Sequence, residues 1–147
     1  MDTKSMSLAE DFPHLSVEGF VETSPATRVY NCIAWAVGRD DAWWWPAEGP
    51  DIHWPEGVPR METVEAFWQL FESLGYVRCE SGDLETGFEK VALYVKDRFP
   101  EHAARQLPDG RWTSKLGKQI DISHQLAGLE GPAYGQVRGF MKRVRPG

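Results

Sequence analysis

The chain has 147 residues and a mass of 16.7 kDa, which fits one ordinary domain and falls short of the length at which a single core usually divides. With 41% hydrophobic and 26% charged residues, it belongs with globular chains and not with disordered or fibrous ones. A formal charge of −6 and a pI of about 5.2 count against nucleic acid as a partner, because phosphate binding needs a concentrated cationic surface.

The charge is uneven. Residues 1–65 hold 12 acids and 4 bases, whereas residues 66–147 hold 10 acids and 12 bases. Two cysteines, Cys32 and Cys79, are too few for a disulfide framework and lack zinc-site spacing. No apolar run approaches the ~18 residues of a membrane span, and Met1-Asp2-Thr3-Lys4-Ser5 leads into polar sequence. The expected location is the cytoplasm, or outside the cell by way of a dedicated secretion system. No membrane partner is expected.

Residues 1–24 are acidic and poorly periodic, and read as a partly ordered arm ahead of a single domain over 25–147. After Ser24-Pro25 the spacing predicts a short helix, capped by Asn31, with Cys32 to Val37 as its body and Gly38 as its stop. Residues 39–60 read as a long irregular loop, since Pro46, Pro50, Pro55 and Pro59 forbid a sustained helix or central strand. Seven Trp are present, and Trp43, Trp44, Trp45 and Trp54 fall within this loop.

A second helix is predicted over Glu62 to Leu74, where Val64, Phe67, Trp68, Phe71 and Leu74 recur at intervals of three and four. Strands are predicted at Tyr76–Cys79, Glu89–Val95, His102–Leu107, Arg111–Leu116 and Val137–Val144. Asp109-Gly110 supplies a tight hairpin between the third and fourth of these. Ile120 to Leu129 reads as a short helix or turn. Helices first and antiparallel strands second make an α+β pattern, with early helices packed on a late sheet.

Cys32 draws attention because it opens a helix, where unpaired backbone N–H groups favour a thiolate and can hold an oxyanion, with the Asn31 carboxamide as a further donor. The alternative is that Cys32 is a small buried hydrophobe. His102 opens a strand, with small alanines beside it, and is placed to act as general base and acid toward such a thiol. Cys79 sits beside Glu80 and Asp83, whose charges raise a thiol pKa. Neither a metal nor another cofactor is expected.

The segments Asn31-Cys32-Ile33-Ala34-Trp35-Ala36 and His102-Ala103-Ala104-Arg105-Gln106 resemble papain-like cysteine hydrolases, including NlpC-type peptidases and related amidases. They also look like a bacterial family that pairs an Asn-Cys-x-Ala-Trp-Ala helix with a Trp-Thr-Ser-Lys-Leu-Gly strand, here Trp112 to Gly117. The resemblance implies a papain-like fold, Cys32 as nucleophile, His102 as base, and a peptide or protein substrate cleaved at an amide or isopeptide bond. A catalytically inactive interaction module on the same fold is the alternative.

The papain-like pattern sets a polar residue on the strand after the His to orient its ring. Ser114 faces the same side as His102 if the hairpin closes at Asp109-Gly110. Asp121 and His124 are the other candidates for this role, or else a cap on a short helix with an exposed His. Trp43, Trp44, Trp45, His53 and Trp54 either wall a substrate cleft or plug the open side of a small domain.

Overall fold

The computed structural model describes residues 12–15, 19–116 and 120–145. Among these residues, two helices, α1 (Cys32–Ala36) and α2 (Val64–Ser73), accompany nine strands: β1 (Phe20–Ser24), β2 (Trp43–Trp44), β3 (Ile52–His53), β4 (Val77–Cys79), β5 (Phe88–Lys96), β6 (Phe99–Gln106), β7 (Trp112–Lys115), β8 (Asp121–His124) and β9 (Gln136–Val144). Seven strands form one antiparallel sheet in the order β1-β8-β7-β6-β5-β9-β4, and β2 and β3 pair separately and in parallel. The architecture is α+β.

Both helices follow from local chemistry. The Asn31 side chain accepts from the Ala34 N–H and caps α1, and Thr63 does the same for α2 through Ala66. Gly38 and Gly75, with φ of 83° and 95°, carry the chain out of each helix in a conformation that L side chains rarely adopt. α2 buries Phe67, Leu70 and Phe71 completely, each contributing about 1.5–3 kcal/mol.

The sheet separates two cores. One lies under the helices and joins Ile33, Ala34, Phe67, Leu70 and Phe71 to Val91, Leu93, Ala103 and Met141. The other lies on the opposite face, where Phe12, Leu15 and Leu129 cover Ala92, Tyr94, Ala104 and Ile122. Strand alternation explains the split, since neighbouring residues such as Ala103 and Ala104 point to opposite faces.

Two expectations need correction. Phe20–Ser24, placed at the end of a partly ordered arm ahead of the domain, is an edge strand of the sheet, paired with β8. Its side chains are mostly exposed, so burial left no hydrophobic alternation to read. Ile120 to Leu129 is also not a helix from its start: Asp121–His124 is a strand, and only Leu126–Leu129 form a 3-10 turn. Asp121 and His124 turn polar side chains into the protein here, which masks the strand pattern. Gly117, the last residue of the Trp-Thr-Ser-Lys-Leu-Gly segment, lies outside the described residues.

The β6–β7 hairpin closes as the sequence implies. Gly110 has φ of 91°, and the Asp109 carboxylate accepts from the Arg111 N–H at 2.9 Å. This turn sets Arg105 opposite Thr113 and Gln106 opposite Trp112. Near the other end of β6 the register shifts, with Tyr94 opposite His102 but Val95 opposite Pro100. Glu101 is the extra residue of a β-bulge, immediately before His102.

Candidate active site

α1 packs across β6 and β7. Its contacts fix the helix in place: Trp35 Nε1 donates to Thr113 Oγ1 at 2.9 Å, and the Arg105 guanidinium lies over the Trp35 ring. Cys32 is thereby held on the helix side of β6 with Ala103, whereas the His102 ring shares the opposite face of the sheet with Ala104 and Tyr94, so the expected facing of sulfur and imidazole is not met: strand alternation turns neighbouring side chains of β6 to different sides.

The Cys32 sulfur is buried, and backbone N–H groups of Ala103, Ile33 and Cys32 itself surround it. Burial nevertheless outweighs those amides and pushes the thiol up to about 11. The expectation of a resting thiolate is therefore corrected. α1 spans only five residues and its N-terminus is enclosed, so loss of hydration dominates over aligned peptide dipoles.

His102 is completely buried. Its Nε2 lies 2.9 Å from Ser114 Oγ, the contact expected from the hairpin register. Ser114 Oγ lies 2.7 Å from Nε2 of His124, whose Nδ1 lies 2.7 Å from the Gln125 carbonyl. Burial drives both imidazoles toward the neutral form, His124 down to about 4 and His102 well below the usual histidine range, with His124 adding to the effect on His102.

Neutrality fixes the proton positions along this chain. A carbonyl can only accept, so the single proton of neutral His124 sits on Nδ1 and points at Gln125. His124 Nε2 then accepts, which makes Ser114 the donor to it. The Ser114 oxygen consequently accepts from His102, so Nε2 of His102 carries its proton and Nδ1 holds a bare lone pair. That Nδ1 is buried and has no hydrogen-bond partner among the described residues.

Tyr134 stacks on the His102 ring, with centroids 4.1 Å apart and planes 7° from parallel. The turn carrying Tyr134 lies so close to β5 that a Cβ on Gly135 would meet the Val95 carbonyl oxygen at 2.1 Å. Tyr134 also lines a cavity of about 310 Å³ together with Asn31, Cys32, Trp43, Trp45 and Glu101. Sequence reasoning missed both Tyr134 and Glu101, because neither belongs to a recognisable motif.

The remaining candidates are distributed as follows. Asn31 Nδ2 donates to the Trp44 carbonyl at 2.7 Å, and its Oδ1 accepts from the Trp44 N–H at 2.9 Å. The carboxamide therefore ties the Trp loop to α1, and Asn31 lines the cavity beside Cys32. Trp44 and Trp54 are buried core residues, not cleft walls. Trp43 and Trp45 do border the Cys32 cavity, and Trp43 also borders an open cleft of about 940 Å³ that includes His53.

Asp121 and His124 are both completely buried, so the reading of a helix cap with an exposed His is corrected as well. They serve different faces. His124 ends the Ser114 chain, while Asp121 accepts from the Tyr30 hydroxyl. Cys79 sits in β4, where its sulfur contacts the Ser81 carbonyl at 3.7 Å.

Residues 21–142 match a family described as Domain of unknown function (DUF7689). The chain belongs to the DUF7689 family. That match spans both helices and all the residues of the His102–Ser114–His124 chain. No curated protein and no solved structure matches the sequence. Within this DUF7689 domain, α1 supplies the buried Cys32 thiol and β6 the buried His102 imidazole, on opposite faces of the sheet. No described helix is long and apolar enough to cross a membrane.

Proposed function

We propose that the chain is a papain-like cysteine hydrolase acting on amide, peptide or isopeptide bonds, with Cys32 as nucleophile and His102 as general base and acid. The observation that carries this reading is the tautomer of His102. Ser114 and His124 hold the proton on Nε2, which leaves Nδ1 as a base with nothing else to bind. Ala103, the next residue along, turns its N–H toward the Cys32 sulfur while the His102 ring lies on the other face of the sheet, so this reading requires ring and sulfur to be brought together when substrate binds.

In this mechanism the resting pair is neutral. As the sulfur attacks the substrate carbonyl, its proton passes to His102 Nδ1 and the carbonyl oxygen becomes an oxyanion. The Cys32 backbone amide, adjacent to the sulfur, is the donor available to that oxyanion. Nδ1–H then protonates the leaving amine, a thioester remains on Cys32, and water activated by the same nitrogen releases the acid. Ser114 orients the ring throughout, in the place that a carboxamide or carboxylate takes in other cysteine hydrolases.

A second reading, an inactive interaction module, draws on the raised thiol pKa and the burial of Cys32. Activity profiling of wild type and Cys32→Ala across peptide, isopeptide and cell-wall substrates separates the two. A substrate turned over only by wild type supports the hydrolase. Identical profiles, in protein shown to be folded, support the module.

A further inference from the structure

A second buried polar group lies near Cys32 and is not used by the mechanism above. Lys115 ends β7 and is completely buried. An ammonium enclosed in this way is costly unless its surroundings compensate for lost water. Its surroundings do so. Asp121 is its cross-strand partner on β8, and the ammonium lies 5.5 Å from the centre of the Tyr30 ring. Tyr30 in turn donates its hydroxyl to Asp121, which ties the segment entering α1 to β8.

Helix packing brings Lys115 toward the nucleophile. α1 packs on β7 as well as β6, and the Tyr30 ring under the Lys115 ammonium belongs to the segment that enters α1. Tyr30 precedes Cys32 by two residues. Lys115, Asp121 and Tyr30 thus form one cluster at the entry to α1, where Cys32 opens the helix.

We propose that Lys115 is a positioning residue for Cys32: its buried ammonium, held by Asp121 and Tyr30, favours the anionic form of the sulfur and so supports its attack. The inference rests on Cys32 being the nucleophile. The other titratable groups packed around this site are Glu101 and His102 on β6, Asp121 on β8, Tyr30 ahead of α1 and Tyr134 on its turn. None supplies positive charge at neutral pH, since burial keeps His102 neutral. Arg105 is directed to Trp35, farther along α1. Among the described residues, Lys115 is the cation whose charge acts on the sulfur. The two groups are within electrostatic reach, the lysine drawing the thiol pKa down against the larger effect of burial.

The test is the rate at which iodoacetamide alkylates Cys32, measured against pH in a Cys79→Ser background. The sulfur loses its proton to solvent, forms the new S–C bond, and iodide leaves. Loss of a nearby opposite charge raises the thiol pKa by about one unit. Lys115→Met and Lys115→Gln are therefore expected to alkylate about tenfold more slowly at a fixed pH below the midpoint, while Lys115→Arg retains the wild-type rate. Two neutral variants guard against one failing to fold, and thermal melts identify which are native. Wild-type rates in a folded neutral variant, or an Arg variant as slow as the neutral ones, would overturn the proposal. Alkylation requires no substrate, so absence of hydrolysis would count against the enzyme and leave this result standing.

Discussion

Ser114 Oγ lies 2.9 Å from Nε2 of His102, inside a sheet where neither group meets solvent. The hydroxyl has one proton to give and gives it to His124. Replacing Ser114 with Ala leaves the His102 Nε2–H and the His124 Nε2 without partners. Each orphaned buried group costs about 1–3 kcal/mol. Urea unfolding of Ser114→Ala should show a loss in that range or above, and activity should fall with it. Unchanged stability would mean that the His102–Ser114–His124 chain is not formed.

Acid should destabilise the protein through the two imidazoles. Both titrate at lower pH in the folded chain than in the unfolded one. The stability they contribute is complete above the ordinary histidine value of 6.5 and is lost as pH falls toward about 4, where folded His124 ionises. The shift at His124 corresponds to on the order of 3 kcal/mol. Urea midpoints between pH 7 and pH 4.5 should fall in wild type and fall less steeply in His124→Gln. Parallel profiles would count against a neutral, buried His124.

Asn31→Ala removes both the α1 cap and the clamp on Trp44. Loss of the cap alone costs about 0.5–2 kcal/mol, and the two contacts to Trp44 add to it. A lower melting temperature should accompany red-shifted Trp fluorescence as the loop loosens. Asn31→Asp keeps an acceptor for the Ala34 and Trp44 N–H groups and should lose less. Equal losses in the two variants would show that the acceptor role is not what matters.

The Trp residues of the loop should divide by burial. Trp44 and Trp54 are each 4% exposed and pack in the helix-side core, with Trp54 against Phe67. Truncating either to Ala should cost about 3–5 kcal/mol. Trp43 is half-buried at the junction of the two cavities, so Trp43→Ala should leave the melt nearly unchanged and alter ligand binding instead. Reversal of that order would reject the assignment.

What the sequence made legible were features with local signals. Periodicity marked α2, Asn31 marked the start of α1, and Asp109-Gly110 marked the hairpin that aligns Ser114 with His102. Features that depend on distant partners were hidden. β8 carries Asp121 and His124 inward, which resembles a polar turn until Tyr30 and Ser114 are known to meet them. The thiol pKa was misread for the same reason, because burial of α1 comes from the sheet and the Trp loop and not from its own residues.

His102 can serve as the proposed base for Cys32 only with a bare Nδ1, and nitrogen-15 NMR of the histidine rings at neutral pH reads this most directly. The account predicts a neutral His102 with its proton on Nε2 and an unprotonated Nδ1, and the opposite tautomer for His124. A proton found on Nδ1 of His102 would contradict it.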